Sequence, residues 1–265
     1  MYTVKNFIDN DDVKVVGELN GFKIIEYQRD LSVVPSTAQV AYFSNQMNIK
    51  KRQLVCDLSY GDVTTQSGAM QWMLGKVAAT TGIKGAGDLL KKAVRGSVTG
   101  ESAIKPEYTG SGMLVLEPTY RYLLLLNADD WNNFIMLEDG LFLASEATLE
   151  HKAVMRTNVS SAALGGQGLF NLGLKGKGVL CIESPCPKEE LIEIYLDNDV
   201  LKVDGNMVIA WSGSLDFTVE RSGKSLIGSA ASGEGLVNVY RGTGKLLLAP
   251  VDNTNPYSVY KPNIK

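Results

Sequence analysis

The stretch Gly176-Lys-Gly178-Val-Leu-Cys-Ile-Glu-Ser-Pro185 is one of three near-copies in this chain, and they decide its fold class. The others are Gly110-Ser-Gly112-Met-Leu-Val-Leu-Glu-Pro118 and Gly242-Thr-Gly244-Lys-Leu-Leu-Leu-Ala-Pro250. The second glycine of each pair falls at 112, 178 and 244, so both intervals are 66 residues. Glycine tolerates positive φ without steric cost, which suits a tight turn or bulge. A proline removes a ladder donor and ends a strand. Between them Met113–Leu116, Val179–Ile182 and Lys245–Leu248 are apolar on both alternating faces. Such strands are covered on both sides.

A second recurring phrase opens an apolar strand after a polar turn: Gly68-Ala-Met-Gln-Trp72, Gly140-Leu-Phe-Leu-Ala144 and Gly205-Asn-Met-Val-Ile209. The pattern predicts an all-β body of three tandem units, about 51–118, 119–185 and 186–250. Residues 1–50 form an amino-terminal extension, and 251–265 a carboxy-terminal tail. Within the extension, Asn20-Gly21 between two apolar runs predicts a hairpin over Val13–Tyr27. Pro35–Met47 has no clean period and reads as strand or irregular. One short inserted helix is expected at Asp88–Arg95, with Asp88 as its cap, Leu90 and Val94 on one face and Gly96 as its stop.

The composition is that of an ordinary globular protein: 265 residues, 45% hydrophobic and 21% charged, with a net charge of −3. No basic field draws in nucleic acid, and no apolar run approaches the roughly 20 residues of a spanning helix. The amino terminus has no apolar signal core, and three cysteines are too few for a disulfide framework. The expectation is a cytoplasmic protein without an integral membrane segment or nucleic-acid partner.

Thr99-Gly-Glu-Ser102, Gly-x-Gly-Leu at 166–169 and 233–236, Leu58-Ser-Tyr-Gly-Asp62 and Asp139-Gly140-Leu-Phe-Leu-Ala144 occur in one order with the glycine–proline closures. Over about residues 50–250 this arrangement resembles the altered-inheritance-of-mitochondria, or mitochondrial biogenesis, family in its bacterial form. The resemblance implies a fold like that of the tryptophan RNA-binding attenuation protein, with the three units around a pseudo-threefold axis. It implies no catalytic residues, and the fold's name does not carry over as RNA binding. The extension departs from the family's usual short start.

Candidate chemistry is thin. His151 is the one histidine, and it aligns with Phe217 in the repeat, which favours a structural place. Cys181 and Cys186 are spaced five apart, only Cys56 and His151 could complete a metal site with them, and Cys181 occupies the core position of Val115 and Leu247. Gly82-Ile-Lys-Gly-Ala-Gly87 resembles a phosphate loop only loosely, because Asp88 would take the donors an anion needs. The acids at 129–130, 138–139, 197, 199 and 204 lie in turn-like contexts. Trp72 and Trp211 belong to apolar runs. Trp131, in the polar loop Asn127–Asn133, is the candidate ligand or partner contact, although packing beneath its own loop also accounts for it. Gly110, Gly112, Gly176, Gly178, Gly242 and Gly244 are assigned structural turns. The expectation is a non-enzymatic β scaffold with no cofactor or metal, acting through protein binding or self-association as a homo-oligomer. The alternatives are binding of a sugar or acidic metabolite and, last, a metal-dependent hydrolase.

Overall fold

The computed structural model describes residues 2–81, 105–155, 170–221 and 236–250. Its strands are β1 (Val13–Leu19), β2 (Phe22–Tyr27), β3 (Arg52–Asp57), β4 (Val63–Thr65), β5 (Met70–Thr80), β6 (Glu107–Leu116), β7 (Tyr122–Asn127) and β8 (Phe134–Leu137). They continue with β9 (Phe142–Glu146), β10 (Glu150–Met155), β11 (Phe170–Lys175), β12 (Val179–Ser184), β13 (Ile192–Val203), β14 (Val208–Ser212), β15 (Asp216–Arg221) and β16 (Leu236–Leu248). The α-helix among the described residues, α1, spans Ala38–Gln46.

These strands make two sheets. The first has nine strands in the order β1-β2-β3-β6-β4-β9-β12-β7, with β5 also on β6, and curls into a nearly closed barrel. The second has seven, in the order β10-β11-β8-β14-β16-β13, with β15 also on β16, and forms a half-barrel.

Three ladders among the described residues share one register pattern. Leu114, Val115 and Leu116 face Met73, Trp72 and Met70. Leu180, Cys181 and Ile182 face Ser145, Ala144 and Phe142. Leu246, Leu247 and Leu248 face Trp211, Ala210 and Val208. Each ladder skips one residue at the matching place, Gln71, Leu143 or Ile209. The hairpins also correspond, with Ala79 opposite Tyr108, His151 opposite Leu174 and Phe217 opposite Tyr240.

The glycine pairs differ from the expected turns. Gly110 and Gly112 lie inside β6, and Gly242 and Gly244 inside β16. Only Gly176 and Gly178 separate two strands, β11 and β12. There the ladder breaks, so β11 joins the second sheet and β12 the first. The middle third thereby links the sheets. Within β6 the pair lets the hairpin strands approach closely. Gly110 has φ +112°, and a Cβ on it would lie 2.1 Å from the Lys76 carbonyl oxygen. No side chain fits there without parting β5 from β6.

The central strands are covered on both faces, as their apolar runs require: Leu114, Val115, Leu116, Leu180, Cys181, Ile182 and Leu246 are fully buried. Leu180 and Ile182 of the first sheet pack with Ile135, Leu137 and Leu174 of the second, so one core spans the junction. A second fills the barrel around Leu54, Leu114 and Cys181. A third packs Trp211 on Phe217 and Tyr240. Each buried Leu or Ile contributes about 1.5–3 kcal/mol.

The amino-terminal hairpin forms as expected. Asn20 and Gly21 take positive φ, and β2 pairs with β3, so the extension is part of the first sheet. The reading of Pro35–Met47 as strand or irregular is corrected to α1. Its Val, Tyr and Phe suit a strand as readily as a helix, and the helical stripe spans little more than two turns. The expected helix at Asp88–Arg95 lies outside the described residues. Trp211 is core, but Trp72 is half-buried on β5, against Phe7 at 5.3 Å.

Candidate functional site

Three places combine accessible or chemically distinctive side chains: the face of α1, a cleft beside it, and the setting of His151.

α1 has its amphipathicity inverted. Its half-buried positions are Ala41, Ser44 and Asn45, small or polar. Val40, Phe43 and Met47, spaced i, i+3 and i+7, are 69%, 58% and 74% exposed. Tyr42 stands exposed against Phe43, ring centroids 5.5 Å apart. None of the helix's side chains is fully buried. Polar contacts hold it instead. Asn45 Nδ2 donates to the Gln28 carbonyl at 2.6 Å. Just past the helix, Arg52 donates to the Asn48 carbonyl and side-chain oxygens at 3.1 and 3.2 Å. The Tyr122 hydroxyl donates to the same carbonyl at 3.3 Å. From Leu31 to Ile49 the chain carries no Asp, Glu, Lys or Arg over 19 residues. Leu31, Val34 and Ile49 are also exposed, as is Tyr120, whose hydroxyl donates to Asp30 at 2.7 Å.

Sequence reading passed over this surface. The signal was present in the charge-free run and in the 40, 43, 47 spacing. It was masked because such spacing ordinarily denotes a buried face.

The cleft, of about 730 Å³, lies between the β1–β2 hairpin and β7. These are the two end strands of the nearly closed sheet. At one end Arg52 is buried against Glu26, with Nη2 2.7 Å and Nε 2.9 Å from Oε2. Lys50 Nζ is 3.2 Å from Glu26 Oε1, and the Arg52 guanidinium lies 4.3 Å from the Tyr122 ring centroid. Burial alone would raise the Glu26 carboxyl's pKa, but Arg52 and Lys50 outweigh it and hold it below its ordinary value.

Trp131 lies at the other end. It sits in a 3-10 turn over Ala128–Trp131, capped by the Asn127 side chain accepting from Asp129 N. Only 2% of it is exposed, and Lys245 Nζ covers the ring at 4.4 Å from its centroid. It is buried and not an exposed contact, because the turn folds it onto Ile135 and Leu137, yet it is among the residues that line the cleft. Of the cations that line the cleft, Arg52 is engaged by Glu26 and Lys245 lies over Trp131; Lys188, Glu18, Asp130, Glu189 and Glu193 also line it.

His151 Nε2 is 2.9 Å from the fully buried Ser145 hydroxyl. Its ring meets Phe142 edge-on at 5.0 Å, and its Nδ1 is buried with no hydrogen-bond partner. Burial, then Lys105, pushes its pKa down to about 4. The ring is neutral, and Ser145 is sealed from solvent. Cys56, Cys181 and Cys186 are free and buried, and burial raises each thiol's pKa. Among the described residues no three His, Cys, Asp or Glu side chains converge as metal ligands. No helix among them is long and apolar enough to cross a membrane.

The fold and these surfaces define a two-sheet β protein with an added apolar helix. Residues 45–251 match the Mitochondrial biogenesis AIM24 family model, and the chain belongs to that family. An uncharacterised protein of Streptococcus pyogenes serotype M6 is 32% identical over 201 residues, 72% of this chain and 78% of that one. The X-ray crystal structure of a Streptococcus pyogenes protein superposes with a TM-score of 0.58 at 27% identity, covering 79% of this chain and 92% of that one. Residues 1–44, with β1, β2 and most of α1, precede the region the family model matches.

Proposed function

We propose that this protein is a non-enzymatic β scaffold of the cytoplasm that works by presenting the α1 face to another protein surface. The observation that carries the reading is the exposure of Val40, Phe43 and Met47 on a helix that buries no side chain. A nine-residue helix is marginal alone, and large apolar patches left in water mark contact sites. The recurring strand registers support descent of the body by internal triplication, with three like units about a pseudo-threefold axis. A body so built can hold a docking element rigidly. The three unpaired, buried thiols support a reducing compartment.

The test is a photo-crosslinking side chain at position 43, with the same probe at exposed Lys14 as control. A discrete protein adduct from position 43 alone supports the reading, and no adduct from position 43 in living cells overturns it.

The cleft favours a second reading, binding of a small sugar-like ligand, since its volume is in the usual range for such sites. An acidic metabolite suits it less, given five lining carboxylates against three lining cations, of which Arg52 is already engaged by Glu26. A rise in melting temperature with a panel of neutral sugars would support it.

A further inference from the structure

We infer that the α1 face is a homodimer interface: two copies of this chain pack their α1 helices against each other about a two-fold axis. The inference rests on the protein-contact reading above and names its partner.

Three observations point to a second copy. The first is area. Leu31, Val34, Val40, Tyr42, Phe43, Met47, Ile49 and Tyr120 each leave about half to three-quarters of their surface in water. At roughly 150–250 Å² for an aromatic ring, and less for an aliphatic side chain, the exposed apolar surface on α1 and the segments beside it comes to several hundred Å². A stable interface takes about 800 Å² from each partner, so this surface can supply much of one half. The second is charge. Pairing of unlike proteins is commonly sorted by complementary charge. Leu31–Ile49 has none to complement, and a surface without charge meets its own copy without repulsion. The third is shape. The stripe of Val40, Phe43 and Met47 runs along one short helix held firmly by Asn45 and Arg52. In a two-fold pairing each residue contacts the stripe it belongs to, the self-complementary arrangement a symmetric dimer needs. Aromatic residues and Met at the centre, with charge kept out, is the usual make-up of an interface core. A lipid surface fits less well. Helices that lie on membranes carry Lys or Arg along the polar face, and α1 has neither.

The experiment is sedimentation velocity of the full chain and of Phe43→Asp and Met47→Asp, from low to high micromolar concentration. The expected result is a wild-type species of twice 28.7 kDa. Each variant should shift to 28.7 kDa, with dimer affinity weakened about thirtyfold or more. Circular dichroism should be unchanged, because neither side chain enters the core, and melting should match wild type at concentrations low enough that the wild type is also monomeric. As a second measurement, Met47→Cys should give a doubled mass with a short bis-maleimide. A wild type that stays monomeric throughout overturns the inference, as does a dimer indifferent to both substitutions. Monomeric wild type together with an adduct of another protein at position 43 refutes the dimer and leaves the scaffold reading standing. A wild type that instead binds neutral or anionic vesicles through Phe43 refutes both.

Discussion

His151→Phe converts the middle third of the chain to the residue its last third already uses. His151 pairs with Leu174 as Phe217 pairs with Tyr240, and its ring already rests edge-on against Phe142. The two side chains differ in polarity more than in place. In the folded protein the imidazole titrates at about 4, against 6.5 for the free side chain. Between those values the unfolded chain holds a proton the folded one refuses. The stability due to this site is therefore full above pH 6.5 and is lost as pH falls toward 4. At about 1.4 kcal/mol per pH unit the loss reaches at most about 3 kcal/mol. About 2 kcal/mol of it has gone by roughly pH 5. The variant has no such loss. It leaves the Ser145 hydroxyl without its imidazole partner, which costs about 1–3 kcal/mol at every pH, and removes the orphaned Nδ1. Urea unfolding near neutral pH and near pH 5 measures both. The variant should be equal or weaker near neutrality and should gain about 2 kcal/mol on wild type at the lower pH. An undiminished acid-side loss in the variant would refute the argument, since some other group would then be titrating.

Gly110→Ala should cost about 3 kcal/mol or more, because the new methyl meets the Lys76 carbonyl at a φ that disfavours side chains; a melting temperature equal to wild type would contradict the close approach of β5 and β6. Arg52→Met leaves Glu26 buried without its main partner and frees Asn48, so a loss of about 3–5 kcal/mol is expected in urea titration. The carboxyl of Glu26 is held below its ordinary value, so its contribution is present above pH 4.5 and falls away as pH drops below that. Cys56 and Cys181 should resist a thiol reagent in the native protein and react fully only in denaturant; fast native labelling of either would show that the core opens.

What could be read from residues alone was whatever local geometry or burial on both faces imposes. Asn20-Gly21 takes positive φ and turns the first hairpin because those two residues accept it. The runs ending at Leu116, Ile182 and Leu248 are central strands because apolar residues fill both of their faces. His151 was legible as structural through its match to Phe217. The tertiary structure decided the rest. Gly110-Ser-Gly112 and Gly176-Lys-Gly178 read alike, yet one stays inside a strand and the other divides two sheets. The difference comes from which strands each half finds to pair with, a matter of contacts far apart in the chain. The ion pair of Glu26 and Arg52 joins adjacent strands across 26 residues, with no local pattern to announce it. Trp131 sits in a polar stretch, and only the folded turn shows its ring facing inward. α1 escaped for a related reason. Periodicity reports a helix through the face it buries, and this helix turns its apolar face to the outside.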